Sequence, residues 1–130
     1  MQKIRIILID DDETLCEGIA FILKDEGYSV MNTSDPAKGM ELIDRNIFDI
    51  ALLDYKMPRM TGVDFLRKIK EKNPATKVFI VSGRPFIEKV LSEENVSHLV
   101  EGVIKKPFRE ETLLEAVKGA CPGNKEGAVE

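Results

Sequence analysis

The sequence contains no Trp, one His and two Cys among its 130 residues. Cys16 and Cys121 belong to no metal-ligand spacing, and two thiols in a chain of this length do not indicate a disulfide framework. His98 has no Cys or second His close to it, which argues against a metal or catalytic role. These shortages favour a reducing compartment, and we expect the protein in the cytoplasm.

Long apolar runs and an excess of basic residues are also missing. The apolar stretches last only a handful of residues, far fewer than a membrane span requires, and no signal peptide is visible. The net charge is −4 with both signs mixed along the chain, so no basic stripe is present for nucleic acid. The remaining composition, 43% hydrophobic and 32% charged, is typical of one globular domain with its own core.

Short segments rich in Ile, Val and Leu alternate with helical patterns along the chain. Five of them predict strands, at residues 4–9, 28–33, 49–53, 77–81 and 102–104. Several are apolar almost throughout, which is typical of strands covered on both faces. The alternation predicts a doubly wound α/β fold, with a five-stranded parallel sheet between two layers of helices.

Helix boundaries are marked by capping and helix-breaking residues. The first helix is predicted from Glu13 to a cap at Gly27, and the second begins at Pro36 with Ile43 and Ile47 facing inward. The third, fourth and fifth helices follow the third, fourth and fifth strands. We expect residues 1–121 to form one domain and residues 122–130 to be a flexible tail or the start of a linker.

Polar side chains follow the predicted strands where they end. Parallel strands place their carboxyl ends at one edge of the sheet. That edge would receive Asp10, Asp11, Asp54, Ser82, Lys105 and Lys106. Crowded carboxylates repel one another and favour a divalent cation, and oxygen ligands suit Mg²⁺. A carboxylate is also a nucleophile toward phosphorus, and an ammonium can neutralise the transferring group, so we interpret this edge as a phosphoryl acceptor.

The motifs at these strand ends resemble those of response-regulator receiver domains of two-component signalling. They are Asp10-Asp11, DYKMPRMTG at residues 54–62, Val81-Ser82-Gly83 and Lys106-Pro107-Phe108. The resemblance covers about residues 3–120. It implies a flavodoxin-like three-layer sandwich with strand order 2-1-3-4-5, and a phosphorelay function in which a sensor histidine kinase phosphorylates Asp54.

The same resemblance implies a role for each residue of the site. Asp10, Asp11 and Asp54, with the Lys56 carbonyl, would hold Mg²⁺. Ser82 and Lys106 would bind the phosphoryl group, so that Asp54, Lys106 and Ser82 form the reacting set. The Lys106–Pro107 peptide would be cis. From the residues themselves, we expect Asp12 to cap the first helix and Lys105 to point away from the site.

A receiver domain would catalyse only its own phosphorylation and dephosphorylation and would not be a conventional enzyme. The added charge would bias a partner surface on the fourth helix and fifth strand. The implied partners are the kinase and an output domain or effector protein. An output domain of this kind could regulate transcription. Homodimerisation stays open, as does the question whether the chain stands alone. Val103 stands where the family usually has Tyr or Phe.

Three other functions compete with this interpretation. Residues 9–14 faintly resemble the nucleophile motif of haloacid-dehalogenase phosphatases, with Asp10 as nucleophile and Asp12 as general acid. That motif requires Gly where this chain has Glu13. A flavin-binding electron carrier would share the fold, but the acidic first loop does not suit a phosphate cradle. A pseudo-receiver would keep the fold without phosphorylation; the intact acids, Ser82 and Lys106 argue against it, Val103 leaves room for it, and phosphorylation chemistry separates the two.

Overall fold

The computed structural model of the chain describes residues 3–123, in which five parallel strands form the central sheet. The strands are β1 (Arg5–Ile9), β2 (Ser29–Thr33), β3 (Ile50–Asp54), β4 (Lys77–Ser82) and β5 (Gly102–Lys105). Their order in the sheet is β2-β1-β3-β4-β5, as predicted. The helices are α1 (Glu13–Asp25), α2 (Pro36–Arg45), α3 (Gly62–Lys72), α4 (Ile87–Glu93) and α5 (Glu110–Ala120), with a 3₁₀ turn at Ser97–Leu99.

The inner strands β1, β3 and β4 are apolar on both faces because each face packs against helices. Alternate residues point to opposite sides of a strand, so β1 sends Ile7 and Ile9 to one face and Ile6 and Leu8 to the other. The first face packs against α2, α3 and α4, and the second packs against α1 and α5. This is the three-layer sandwich that the sequence predicted.

Side-chain caps fix where the first three helices begin. Asp12 caps α1, where its Oδ1 accepts a hydrogen bond from Leu15 N at 3.1 Å. Asp35 caps α2 in the same way, and Thr61 and Asp64 form a reciprocal capping box at the start of α3. The predicted role of Asp12 as a helix cap is therefore confirmed.

The expectation that Ile47 faces inward is wrong. Helix α2 ends at Arg45, and Ile47 lies beyond it with 55% of its surface exposed. The helix ends there because Asn46 is extended, at φ −137° and ψ 157°, and its Nδ2 donates to the Leu42 carbonyl at 2.9 Å. Phe48 is then the next apolar residue to be buried.

The chain end lies at the limit of the description. Helix α5 ends at Ala120, and residues 124–130 of the predicted tail lie outside the described residues. The boundary after residue 121 therefore stays a prediction. Within residues 3–123, no helix has the length and apolar character needed to cross a membrane.

Two residues of α1 provide a matched test of the core. Leu23 is fully buried, whereas Phe21 on the same helix is 70% exposed. We expect Leu23→Ala to lower the free energy of unfolding by about 2–5 kcal/mol, because it removes buried contacts and leaves a cavity. Phe21→Ala should change it by no more than about 0.5 kcal/mol. Urea denaturation measures both, and equal losses would contradict this assignment of the core.

Candidate functional site

Three carboxylates meet at the carboxyl edge of the sheet. Asp10 follows β1 directly, Asp11 comes next, and Asp54 is the last residue of β3. One oxygen from each lies within 4.8 Å of the others. Asp10 is fully buried and Asp54 is 8% exposed, whereas Asp11 is open to solvent. The strand ends thus bring together the three aspartates that the sequence singled out.

Lys106 supplies the positive charge that faces this group. Its Nζ lies 2.9 Å from Asp10 Oδ2 and 3.4 Å from Asp54 Oδ1. Burial alone would lower the pKa of Lys106, but its close ion pair with Asp10 and the charge of Asp54 outweigh burial and raise it. The ammonium therefore stays charged between two carboxylates.

One ammonium does not satisfy the buried acid completely. Asp10 Oδ1 accepts a hydrogen bond from Asp12 N at 3.0 Å. Asp10 Oδ2 is buried and, among residues 3–123, has Lys106 as a charge partner but no aligned hydrogen-bond donor. An incompletely satisfied buried oxygen beside two more carboxylates suits a small hard cation, so the residues present fit Mg²⁺.

The environment of Asp54 disfavours the ionised form of its carboxyl group. Burial raises its pKa to about 7, and the charge of Asp10 adds to the rise, while Lys106 opposes it. Burial and a nearby like charge both disfavour the ionised form. The protonation of Asp54 therefore depends directly on which cations lie close to it.

Ser82 and Lys106 are brought to the site by the pairing of β4 with β5. Ser82 ends β4, is 3% exposed and pairs with Lys105, while Lys106 N donates to the Ser82 carbonyl at 2.9 Å. Ser82 Oγ accepts from Arg84 N at 3.0 Å, so its own hydrogen can be donated elsewhere. As expected, the Lys106–Pro107 peptide is cis and Lys105 is exposed; its ammonium pairs with Glu88.

Residues 56–61 form a short hairpin that returns the chain from Asp54 to α3. The hairpin pairs Lys56 with Thr61 and Met57 with Met60. Lys56 therefore lies two residues after Asp54 and its side chain is exposed; the role of its carbonyl as a metal ligand stays a prediction. A Cβ on Gly62 would lie 2.6 Å from the Asp54 carbonyl oxygen, so the close approach of α3 to the site requires glycine.

Contacts around Tyr55 were missed by the sequence analysis. The Tyr55 hydroxyl donates to Glu94 Oε2 at 2.7 Å, and the Arg84 guanidinium lies over the Tyr55 ring. No motif connects residues 39 positions apart, so the sequence carried no signal of the first contact. Val103, by contrast, is half-buried and lines a cleft of about 230 Å³ between α4 and β5.

Comparisons with known proteins agree on one family. The family model described as "Response regulator receiver domain" matches residues 6–118. The receiver domain protein (CheY-like) of Methanospirillum hungatei is similar in structure, with a TM-score of 0.81 and 31% identity over 90% of this chain and 92% of that one. The BeF₃-activated receiver domain of DrrB from Thermotoga maritima has a TM-score of 0.79 and 25% identity, over 92% of this chain and 97% of that one.

The curated relatives are longer proteins. The transcriptional regulatory protein DltR of Streptococcus agalactiae is 28% identical over 117 residues, which are 88% of this chain and 50% of DltR. The cell cycle response regulator CtrA of Brucella ovis is 29% identical over 113 residues, with 87% of this chain and 48% of CtrA covered. The chain thus spans about half the length of the curated relatives it matches.

The raised pKa of Asp54 predicts how stability depends on pH without metal. Its pKa in the folded chain, about 7, exceeds the ordinary value of 3.8, so the folded state binds this proton more tightly. The free energy of unfolding in EDTA should therefore fall as pH rises from about 4 to about 7, by on the order of 4 kcal/mol. Urea denaturation along a pH series measures this slope.

Two substitutions isolate the contribution of Asp54 to that slope. Asp54→Asn removes the group that titrates, so the free energy of unfolding should fall much less between about pH 4 and 7. Asp12→Asn removes a neighbouring acid but keeps a side chain that can cap α1, and the wild-type decline should persist. Identical slopes in the wild-type chain and Asp54→Asn would show that another group is responsible.

Proposed function

This chain belongs to the response regulator receiver domain family, and we propose that Asp54 is the residue that accepts the phosphoryl group. The observation that carries the proposal is the position of its carboxylate. Asp54 Oδ1 lies 3.4 Å from the Lys106 ammonium, and the same side chain lies within 4.8 Å of Asp10 and Asp11. Receiver domains are the phosphoacceptor part of two-component response regulators, and this site has the groups that such a reaction needs.

The reaction is an in-line transfer. An ionised Asp54 oxygen forms a bond to phosphorus while the bond from phosphorus to a kinase histidine nitrogen, or to the oxygen of a small phosphodonor, breaks. Bound Mg²⁺, held by Asp10, Asp11, Asp54 and the Lys56 carbonyl, would neutralise charge on the transferring group. Asp54 must lose its proton to react, and the charge of Lys106 favours that loss.

Lys106 and Ser82 would bind the phosphoryl group after transfer. Transfer to Asp54 adds negative charge next to Lys106, whose ammonium is already 2.9 Å from the other buried acid. Ser82 can donate its hydroxyl hydrogen while its oxygen still accepts from Arg84 N. The chain would thus promote its own phosphorylation and its later hydrolysis by water, and would act on no other substrate.

The partners follow from this chemistry. We propose a sensor histidine kinase in the cytoplasm as phosphodonor, in keeping with two free cysteines. DltR is named as a transcriptional regulatory protein, and this chain matches half of it. A whole protein containing this domain would therefore carry, or bind, an output module that reads the surface of α4 and β5. A homodimer through α4 and α5 remains a hypothesis.

The competing functions fit the site less well. In a phosphatase of the haloacid-dehalogenase kind Asp10 would be the nucleophile, but Asp10 is fully buried and paired with Lys106. Asp12, the general acid of that scheme, caps α1 instead. A pseudo-receiver has no need of an ammonium between two carboxylates, and phosphorylation separates it from our proposal.

Intact mass after incubation with acetyl phosphate and Mg²⁺ tests the acceptor and the metal together. We expect the wild-type chain to gain one phosphoryl group, about 80 Da. Asp54→Asn should gain nothing, because its amide is not a nucleophile. Asp11→Asn, or EDTA with the wild-type chain, should reduce the gain at least about tenfold by weakening the metal site.

Asp12→Asn is the matched control for these variants. It changes the same loop and the same charge as Asp11→Asn, yet Asn still caps α1, so its modification should match the wild type. A phosphorylated Asp54→Asn chain would show that another residue accepts the group. No adduct on the wild-type chain, together with no beryllofluoride binding, would favour a pseudo-receiver.

A further inference from the structure

Tyr55 contacts the chain on both sides of α4. This residue follows the proposed acceptor Asp54 directly and is buried. Its hydroxyl donates to the carboxylate of Glu94, the first residue after α4, at 2.7 Å. The guanidinium carbon of Arg84, three residues before α4 begins, lies 5.3 Å from the centre of its ring. One aromatic ring next to Asp54 therefore joins both flanks of a single helix.

Helix α4 has few other polar attachments at its start. It is only seven residues long, and Phe86 at its N-cap makes no side-chain capping bond. Phe86 is 78% exposed and has a positive φ of 60°, a strained conformation for a bulky residue. The ion pair between Glu88 and Lys105 is exposed on both sides and contributes little. The beginning of α4 is therefore held by the packing of Ile87, which is fully buried, and by few polar contacts.

The end of α4 is fixed more firmly. Besides the bond from Tyr55 to its carboxylate, Glu94 accepts a hydrogen bond at its backbone carbonyl from Arg67 Nη2 of α3, at 2.9 Å. The hydroxyl bond to Glu94 is charge-assisted, which makes it stronger than a neutral one. The ring thus contacts the end of the helix and, through Arg84, the segment that leads into its start.

The same contacts reach the phosphoryl-binding residues. Arg84 N donates to Ser82 Oγ at 3.0 Å, and Ser82 is the hydroxyl proposed to bind the phosphoryl group. Negative charge added at Asp54 attracts the Arg84 guanidinium and repels the Glu94 carboxylate. The two groups that hold the Tyr55 ring therefore experience opposite forces when Asp54 is modified.

We propose that Tyr55 is a positioning residue that couples the state of Asp54 to α4, through a clasp formed by Tyr55, Arg84 and Glu94. The inference rests on the proposed function, because it needs a phosphoryl group at Asp54. The clasp links the two flanks of α4 to the residue that follows Asp54. Removing the tyrosine hydroxyl leaves the site residues in place but breaks the bond between Tyr55 and Glu94 at the end of α4.

The test uses amide NMR shifts of the ¹⁵N-labelled chain, with beryllofluoride and Mg²⁺ as the phosphoryl mimic. In the wild-type chain we expect shifts both near Asp54 and along α4. Tyr55→Phe should keep the shifts near Asp54 and reduce those of α4 at least about twofold, because the connection depends on one charge-assisted bond. Similar α4 shifts in Tyr55→Phe and the wild type would overturn the inference.

Three control variants separate coupling from a general loss of structure. Tyr28→Phe removes the hydroxyl of the chain's only other tyrosine, which contacts Cys121 away from the site, and should leave the α4 shifts at wild-type size. Glu94→Gln keeps an acceptor oxygen but loses the charge and should reduce the α4 shifts less than Tyr55→Phe does, whereas Glu94→Ala should act like Tyr55→Phe. If Glu94→Ala keeps the wild-type shifts of α4, the clasp does not transmit the signal.

The proposed function and the clasp fail in different ways. A wild-type chain with no beryllofluoride-dependent shift anywhere would overturn the proposed function, and the inference with it. Shifts near Asp54 together with α4 shifts that ignore Tyr55→Phe would overturn only the clasp. Val103→Ala, on the other side of α4, would then show whether the signal passes along β5 instead.

Discussion

The ion pair between Lys106 and the buried Asp10 is the interaction on which the site depends. A fully buried carboxylate is costly unless a cation lies close to it, and Lys106 Nζ lies 2.9 Å away. The same ammonium is also 3.4 Å from Asp54, so one positive charge serves two acids. The site is therefore short of positive charge, which favours a metal ion and gives a newly added phosphoryl group a place beside Lys106.

The fold makes this arrangement possible by burying the strands that carry it. β1 and β3 are apolar on both faces and are covered by two layers of helices. Such strands are rigid supports, and their ends fix Asp10 and Asp54 against each other. The pairing of β4 with β5 brings Ser82 and Lys106 to the same edge. Stability thus comes from the layers, while the reactive groups lie where the apolar strands end.

The fold and the grouping of the aspartates could be predicted because they depend on local patterns. Apolar strands alternating with capped helices require a layered parallel sheet, and Asp12 shows the capping geometry expected of it. Ile47 was mispredicted because the helical repeat was continued past Asn46, whose side-chain amide donates to the Leu42 carbonyl where the helix ends. Helical spacing alone does not show such a stop.

The clasp could not be predicted, because its members are distant in sequence and ordinary in type. Tyr55 and Glu94 are 39 positions apart and meet only in the folded chain, and Glu94 lies in a segment with no recognisable pattern. Gly62 is a related case: its place in a loop is visible in the sequence, but the close approach of its backbone to Asp54 is visible only in three dimensions. Contacts between unrelated segments are what the structure adds.

The central claim is that Asp54, and no other acid of this edge, receives the phosphoryl group. The most direct measurement treats the phosphorylated chain with borohydride, which reduces an aspartyl phosphate to homoserine, and locates the changed residue by peptide mass spectrometry. Our account predicts homoserine at position 54 alone. Homoserine at position 10, 11 or 12 would contradict it, and position 10 would point to the phosphatase-like alternative.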